Sequence, residues 1–317
     1  MLLLLLVCTA CATPQEQEHH IAQNPPMLLP HELVTTDKTH LPMRNGLPKG
    51  KVRAVIIALH GFNDYSHAFA IPSKAVNSHG IAIYAFDQRG FGNAVNKGIW
   101  PGQDNLIRDT GDMVRAARKK YPHIPIYLLG ESMGGAIAVV CVTHPGFPSV
   151  DGVILSAPAL WGGDTMNSFF RATLWFFAHT MPHKVLTGED LHVLASDNID
   201  MLRALGSDPY VIKETRVDAV YGLVHLMDTA YGNIDKVKEP TFILYGAHDQ
   251  VIPPDPIKKA ARKIKAPHIF AYYPLGYHML LRDKHGDIPT HDIISWITDR
   301  NKPLPSGADK EGIKFLK

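Results

Sequence analysis

The stretch Gly130-Glu131-Ser132-Met133-Gly134-Gly135 constrains this chain more than any other. An apolar run, Ile124-Pro125-Ile126-Tyr127-Leu128-Leu129, leads into it, and a second, Ala136-Ile137-Ala138-Val139-Val140-Cys141, follows. A strand passing directly into a helix leaves Ser132 on a sharp bend. Side chains two positions before or after the bend would collide, and glycines at 130 and 134 remove them. The bend strains the serine backbone and lifts its hydroxyl clear of the sheet. It also leaves the Met133 N–H at a helix start, where aligned peptide dipoles favour negative charge. This setting, rather than the pentapeptide alone, makes Ser132 a candidate nucleophile.

The rest of the chain repeats the pattern of a covered strand followed by a helix. Val52–Leu59, Ile81–Phe86, Val153–Leu155, Thr241–Tyr245 and Ile269–Tyr273 are almost wholly apolar, as strands buried on both faces must be. Helical spacing fits 66–79, 104–121, 256–264 and 290–300, and an opening hairpin fits 32–43. The implied fold class is α/β, a doubly wound, mostly parallel sheet with helices on both faces. The rhythm fails after Pro158 for about seventy residues and then resumes. Residues 31–158 and 237–305 therefore form the expected core, with 159–236 inserted as a helical cap.

A serine hydroxyl needs a base to take its proton, and the base needs a carboxylate to fix its tautomer. In a doubly wound sheet such groups gather at the carboxyl ends of strands. Asp249 follows the strand at 241–245 and His278 follows the strand at 269–273. The chain order Ser132, Asp249, His278 places three partners after successive strands, and His248 is a poorer base because it shares the acid's loop. The oxyanion formed on attack needs two N–H donors: Met133 supplies one, and Phe62, after the strand at 52–59, supplies the other. His60 reads as a structural histidine. Asp87 and Arg89 are expected to pair and hold the turn Asp87-Gln88-Arg89-Gly90-Phe91-Gly92.

Bulk properties narrow the partners. The 317 residues carry a net charge of +2 and no basic cluster interleaved with aromatics, which argues against nucleic acid. The 18 histidines lack metal-ligand spacing, and His285 and His291 with Asp287 and Asp292 read as the start of a helix. Residues 1–12 have the form of a signal peptide: a short leucine run, then small residues. Cys8-Thr9-Ala10-Cys11 resembles a bacterial lipoprotein box, with Cys11 as the lipidated residue. The expected location is a membrane-anchored lipoprotein of the bacterial cell envelope, with a secreted or periplasmic soluble protein as the alternative. Residues 13–30, rich in Gln, Glu, His and Pro, read as a tether. Cys141 reads as a buried small hydrophobe.

Together, His60-Gly61-Phe62, the Asp87–Gly92 turn, the Gly130–Gly135 elbow, Gly246-Ala247-His248-Asp249 and Gly276-Tyr277-His278 resemble the monoacylglycerol lipase / lysophospholipase (serine aminopeptidase S33-type) branch of the α/β-hydrolases. The chain departs from that branch at Phe62-Asn63-Asp64. The resemblance implies Ser132, Asp249 and His278 as triad, no metal and no organic cofactor. It implies a serine hydrolase of carboxylic esters, with an acyltransferase or a peptidase as rivals and a silent scaffold as the non-enzymatic one. The insertion becomes a lid, and its apolar first part suggests a lipid-like ester substrate. Phe169, Phe170, Trp175 and Phe176 are the candidate substrate-binding residues there. Ser196-Asp197-Asn198 and Ser207-Asp208-Pro209 are expected to cap further helices.

Overall fold

The computed structural model describes residues 12–188 and 193–317; Cys11 lies outside them. In chain order the elements are β1 (Met27–Leu28), β2 (Glu32–Val34), β3 (His40–Gly46), β4 (Ala54–Leu59), α1 (Ala70–Ser78), β5 (Ile81–Phe86), α2 (Gln103–Lys120), β6 (Ile126–Glu131), α3 (Met133–Thr143) and β7 (Gly152–Ser156). There follow α4 (Ser168–Thr180), β8 (Val185–Thr187), α5 (Ile199–Ser207), β9 (Glu214–Arg216) and α6 (Val217–Asn233). The chain ends with β10 (Thr241–Gly246), α7 (Pro254–Lys263), β11 (His268–Tyr273), α8 (Asp287–Thr298) and α9 (Ala308–Leu316).

Among the described residues, the main sheet runs β1-β2-β3-β5-β4-β6-β7-β10-β11. It is parallel from β5 to β11 and antiparallel over β1, β2, β3 and β5. This is the doubly wound, mostly parallel sheet that the apolar runs require. Every residue of β4 is buried, and alternate side chains join different layers. Val55, Ile57 and Leu59 pack with Met113 of α2 and Ile137 of α3. Ala54, Ile56 and Ala58 pack with Val76 of α1 and Trp296 of α8. The strand has no polar face because neither side meets water.

Two terminal segments differ from expectation. Residues 13–30 are not a free tether. The Ala12 N–H donates to His179 O (2.8 Å), and Gln15 N–H to the buried carboxylate of Asp218 (3.2 Å). Gln17 N–H bonds Trp100 O (2.9 Å), Arg108 donates to His20 O (2.7 Å), and the N–H groups of Gln23 and Asn24 reach Thr36 O. The arm is held by backbone hydrogen bonds rather than apolar burial, so its composition reads as unstructured although its path is fixed. At the other end the domain does not close at 305. Helix α9 covers the edge strand β11, with Phe315 stacked on Tyr272 (4.3 Å between centroids). Gly312 makes this approach possible, since a Cβ there would lie 1.9 Å from Phe270 O.

Among the described residues between β7 and β10, no strand joins the main sheet. Helix α4 starts on Asn167, whose side chain accepts from the N–H groups of Phe169 and Phe170, a cap worth about 1 kcal/mol. Asn198 caps α5 in the same way through Met201 N–H. The helix expected after Ser207-Asp208-Pro209 does not form. Asp208 instead accepts from the Tyr65 hydroxyl (2.7 Å) and Tyr210 N–H (2.8 Å). The next residues bend down so that Ile212 N–H donates to Asn63 O (2.9 Å). The region also contains a two-stranded ribbon, β8 with β9, that periodicity does not suggest. No helix among the described residues is long and apolar enough to cross a membrane.

Candidate active site

Ser132 is half-buried between β6 and α3, with φ 53° and ψ −116°. A non-glycine residue in that region costs about 1–3 kcal/mol and persists only where its surroundings over-determine it. Here Ser132 N–H donates to Ser156 O on β7 (3.0 Å), and Ser132 O accepts from Gly135 N–H and Ala159 N–H (both 2.9 Å). The flanking glycines are obligatory. A Cβ on Gly130 would lie 2.2 Å from Gly134 O, and one on Gly134 would lie 2.0 Å from Leu59 O. These are backbone atoms, so no side-chain rotation relieves either clash.

The β10 and β11 loops bring the other two candidates together. His278 Nδ1 and Asp249 Oδ2 are 2.9 Å apart, with the His278 side chain 7% exposed and that of Asp249 fully buried. The second carboxylate oxygen of Asp249 accepts from the N–H groups of Val251 (2.8 Å) and Ile252 (2.9 Å). The acid therefore has one orientation available, and it assigns the Nδ1 proton to the side facing Asp249. Nε2 is left as the acceptor. Ser132 and His278 line the same cavity of about 400 Å³. His248 stacks on Tyr277 (5.1 Å) and is absent from the cavity wall.

The loop after β4 passes directly beside Ser132: a Cβ on Gly61 would lie 3.5 Å from Ser132 Cβ. Phe62 and Gly61 line the cavity, and Met133, the first residue of α3, has no intrahelical acceptor for its N–H. His60 holds this loop. Its Nδ1 bonds Gly61 O (2.8 Å), its Nε2 accepts from Gln88 N–H (3.1 Å), and burial lowers its pKa, so it stays neutral. The pairing of Asp87 with Arg89 is not formed. Asp87 accepts instead from the N–H groups of Ser66 and Asn93. Arg89 turns to α2 and grips Asp109 in a bidentate pair (2.6 and 2.8 Å), with Asp37 at 2.9 Å. Two parallel charge-assisted bonds to Asp109 outweigh any single contact within the turn.

Of the four aromatic residues expected to bind substrate, only Phe170 lines the cavity. Phe169, Trp175 and Phe176 project from α4 and are 79, 53 and 54% exposed. The cavity wall is completed by Trp161, Met166, Leu205, Leu223, Val224 and Met227 of the insertion. These residues were invisible as a group because they come from separate segments. Also missed was a buried charge cluster at the inner wall. Arg282 pairs with Asp64 (2.7 Å) and with Glu131, and the three side chains are 4, 8 and 2% exposed respectively. Burial alone would lower the Arg282 pKa; the facing Glu131 and Asp64 carboxylates reverse that and raise it, so the guanidinium is permanently charged. Removing one member of such a cluster typically costs about 3–5 kcal/mol. The available signal was positional: Glu131 precedes Ser132, and Arg282 lies four residues after His278.

A larger hollow of about 630 Å³ between β11, α8 and α9 contains neither Ser132 nor His278. Among the described residues, no group of three or more His, Cys, Asp or Glu side chains is placed to hold a metal ion.

The chain is similar to several known proteins. Residues 50–285 match the family model for serine aminopeptidase, S33. Human monoglyceride lipase is 23% identical over 282 residues, covering 86% of this chain and 91% of its own. Caffeoylshikimate esterase of Arabidopsis thaliana is 24% identical, covering 93 and 92%. Among solved structures, a soluble variant of monoglyceride lipase from Saccharomyces cerevisiae, in complex with a substrate analogue, superposes with a TM-score of 0.72 at 20% identity, over 90% of this chain and 97% of its own. The monoacylglycerol lipase of Paleococcus ferrophilus gives 0.66 at 22% identity, over 81 and 98%. The chain belongs to the serine aminopeptidase, S33, family and is a carboxylic ester hydrolase of the monoacylglycerol lipase-like α/β-hydrolases.

Proposed function

We propose that this chain hydrolyses monoacylglycerols through an acyl-enzyme on Ser132. The observation that carries the reading is His278, fixed by Asp249, in one apolar-walled cavity with a strained, half-buried serine. His278 Nε2 takes the Ser132 proton as Oγ attacks the ester carbonyl. The negative charge on the carbonyl oxygen rests on the Phe62 and Met133 N–H groups. His278 then passes its proton to the departing glycerol oxygen, and a water molecule repeats the sequence to free the fatty acid. The acyl chain lies along the apolar wall that includes Trp161, Met166, Phe170 and Met227. At the inner wall the Arg282 guanidinium is already taken up by two carboxylates, and it is the one Lys or Arg among the described lining residues, so a phosphate head group meets no free cation. A panel of monoacylglycerols, lysophospholipids and short aryl esters tests this. Glycerol esters should be the preferred long-chain substrates, and fluorophosphonate should label the peptide carrying Ser132. Preference for lysophospholipid, or acyl transfer to an added alcohol exceeding hydrolysis, would overturn the substrate assignment.

The proposal extends to location. Cys11 would carry a lipid, and the chain then enters at Ala12, whose N–H bonds His179 O near the end of α4. That entry point lies on the same helix as the exposed Phe169, Trp175 and Phe176. The anchor and these aromatics would together hold the insertion against the bilayer of the cell envelope. Replacing Phe169, Trp175 and Phe176 with serine in an unlipidated form should reduce co-sedimentation with phospholipid vesicles. Turnover of a soluble short-chain ester should not change, because none of the three lines the cavity.

A further inference from the structure

We infer that Arg282 is a positioning residue that holds three of the four catalytic loops in register, those after β4, β6 and β11. The inference rests on the serine-hydrolase reading of the cavity. The oxyanion donors, the nucleophile and the base come from the loops after β4, β6 and β11, and the acid, Asp249, from the loop after β10. In the sheet, β7 and β10 stand between β6 and β11, so no strand-to-strand bond joins the His278 loop to those after β4 and β6. Three strand spacings amount to about 14 Å, over which small rotations of the outer strands would displace His278 from Ser132. Arg282 spans this gap above the sheet. One arm of its guanidinium meets Asp64 at 2.7 Å and the other meets Glu131.

Each contact sits next to a working group. Asp64 N–H bonds Gly61 O (3.3 Å) and its Oδ1 accepts from Tyr65 N–H (2.8 Å), which closes the backbone around Phe62. Glu131 is the last residue of β6, directly before Ser132. Arg282 belongs to a tight turn in which its own N–H bonds Met279 O (2.8 Å) and Asp283 accepts from Tyr277 N–H (2.8 Å). A displacement of the guanidinium therefore carries the turn, and His278 with it. The cluster is poorly arranged for stability alone. Glu131 Oε2, Asp64 Oδ2 and Arg282 Nε are buried without a hydrogen-bond partner, Asp64 Oδ2 meeting Arg282 as an ion pair only, and the two carboxylates outnumber the one cation. Apolar residues of similar volume commonly stabilise such a site as well or better. Geometric control of the loops accounts for a charged cluster here where packing does not.

The test compares Arg282→Met, Arg282→Lys and the triple variant Asp64→Leu/Glu131→Met/Arg282→Met, read by Tm, kcat and KM on a short aryl ester. Arg282→Met should lose both Tm and kcat. The triple variant should recover Tm, because no buried charge is left unpaired, while kcat stays about 10- to 100-fold below the parent with KM within about twofold. Recovery of kcat together with Tm would overturn the inference and leave Arg282 a merely structural residue. Should the triple variant not fold, Arg282→Lys decides. It keeps the charge but loses the two-armed grip, so kcat should fall about tenfold or more with little change in Tm. Unchanged kcat in that variant overturns the inference. Failure of the parent enzyme to be labelled at Ser132 would instead remove the reading on which it rests.

Discussion

Ser132→Ala should lower kcat for an aryl ester by about a millionfold while leaving Tm close to that of the parent enzyme. The fold is indifferent to the hydroxyl. The bend at 132 is held by the backbone bonds to Ser156, Gly135 and Ala159, all of which alanine can make. The proposed chemistry is not indifferent, because among the described residues lining the cavity Ser132 is the one hydroxyl side chain, and it shares that cavity with His278 of the Asp249–His278 pair. His278→Ala should be nearly as damaging, and the double variant no worse than either single one, since nucleophile and base act as a unit. The residual rate would measure what the Phe62 and Met133 N–H groups and the apolar wall contribute without covalent catalysis. Loss of fluorophosphonate labelling in Ser132→Ala, with unchanged circular dichroism, is the direct check. Labelling that persists would move the nucleophile elsewhere.

The parts of this molecule legible in the sequence are those fixed by short-range pattern. A strand covered on both faces must be apolar at every position, so Ala54–Leu59 and Thr241–Gly246 announce themselves. An elbow between such a strand and a helix admits only glycine two residues either side of Ser132, which the clashes at Gly130 and Gly134 make plain. Asp249 and His278 could be singled out because a parallel sheet delivers loops to one edge, and the two stand 2.9 Å apart. What stayed hidden depends on partners far away in the chain. Arg89 stands beside Asp87 in sequence, yet Asp109 offers it a two-pronged grip. Asp208 has the local form of a helix cap, but the Tyr65 hydroxyl, 143 residues earlier, takes its carboxylate. The polar arm at 12–28 makes many of its bonds through backbone groups, which every sequence possesses and none displays. The aromatic stripe of α4 was visible as apolar, but which of its sides faces the cavity is set by how the insertion docks on α3. Only Phe170 falls on the inner side.

Asp249→Asn is expected to cost about ten-thousandfold in kcat without unfolding the protein. The substitution is nearly isosteric, and the amide oxygen can still accept the Val251 and Ile252 N–H groups now held by Oδ1. The change falls on the other atom. Where Oδ2 accepts from His278 Nδ1 at 2.9 Å, an amide nitrogen would offer hydrogens of its own. The imidazole must then place its proton on Nε2, and the nitrogen facing the cavity can no longer accept from Ser132. The carboxylate that balances the imidazolium during attack is lost at the same time. Both effects act on the rate of acylation rather than on substrate binding, so kcat should fall with KM little changed, and fluorophosphonate labelling should slow in proportion. Wild-type labelling rates in Asp249→Asn would show that His278 takes its orientation from another group. Among the described residues, no other carboxylate hydrogen-bonds the His278 ring, and on the proposed reading it is this single contact that would make a buried histidine a directed base.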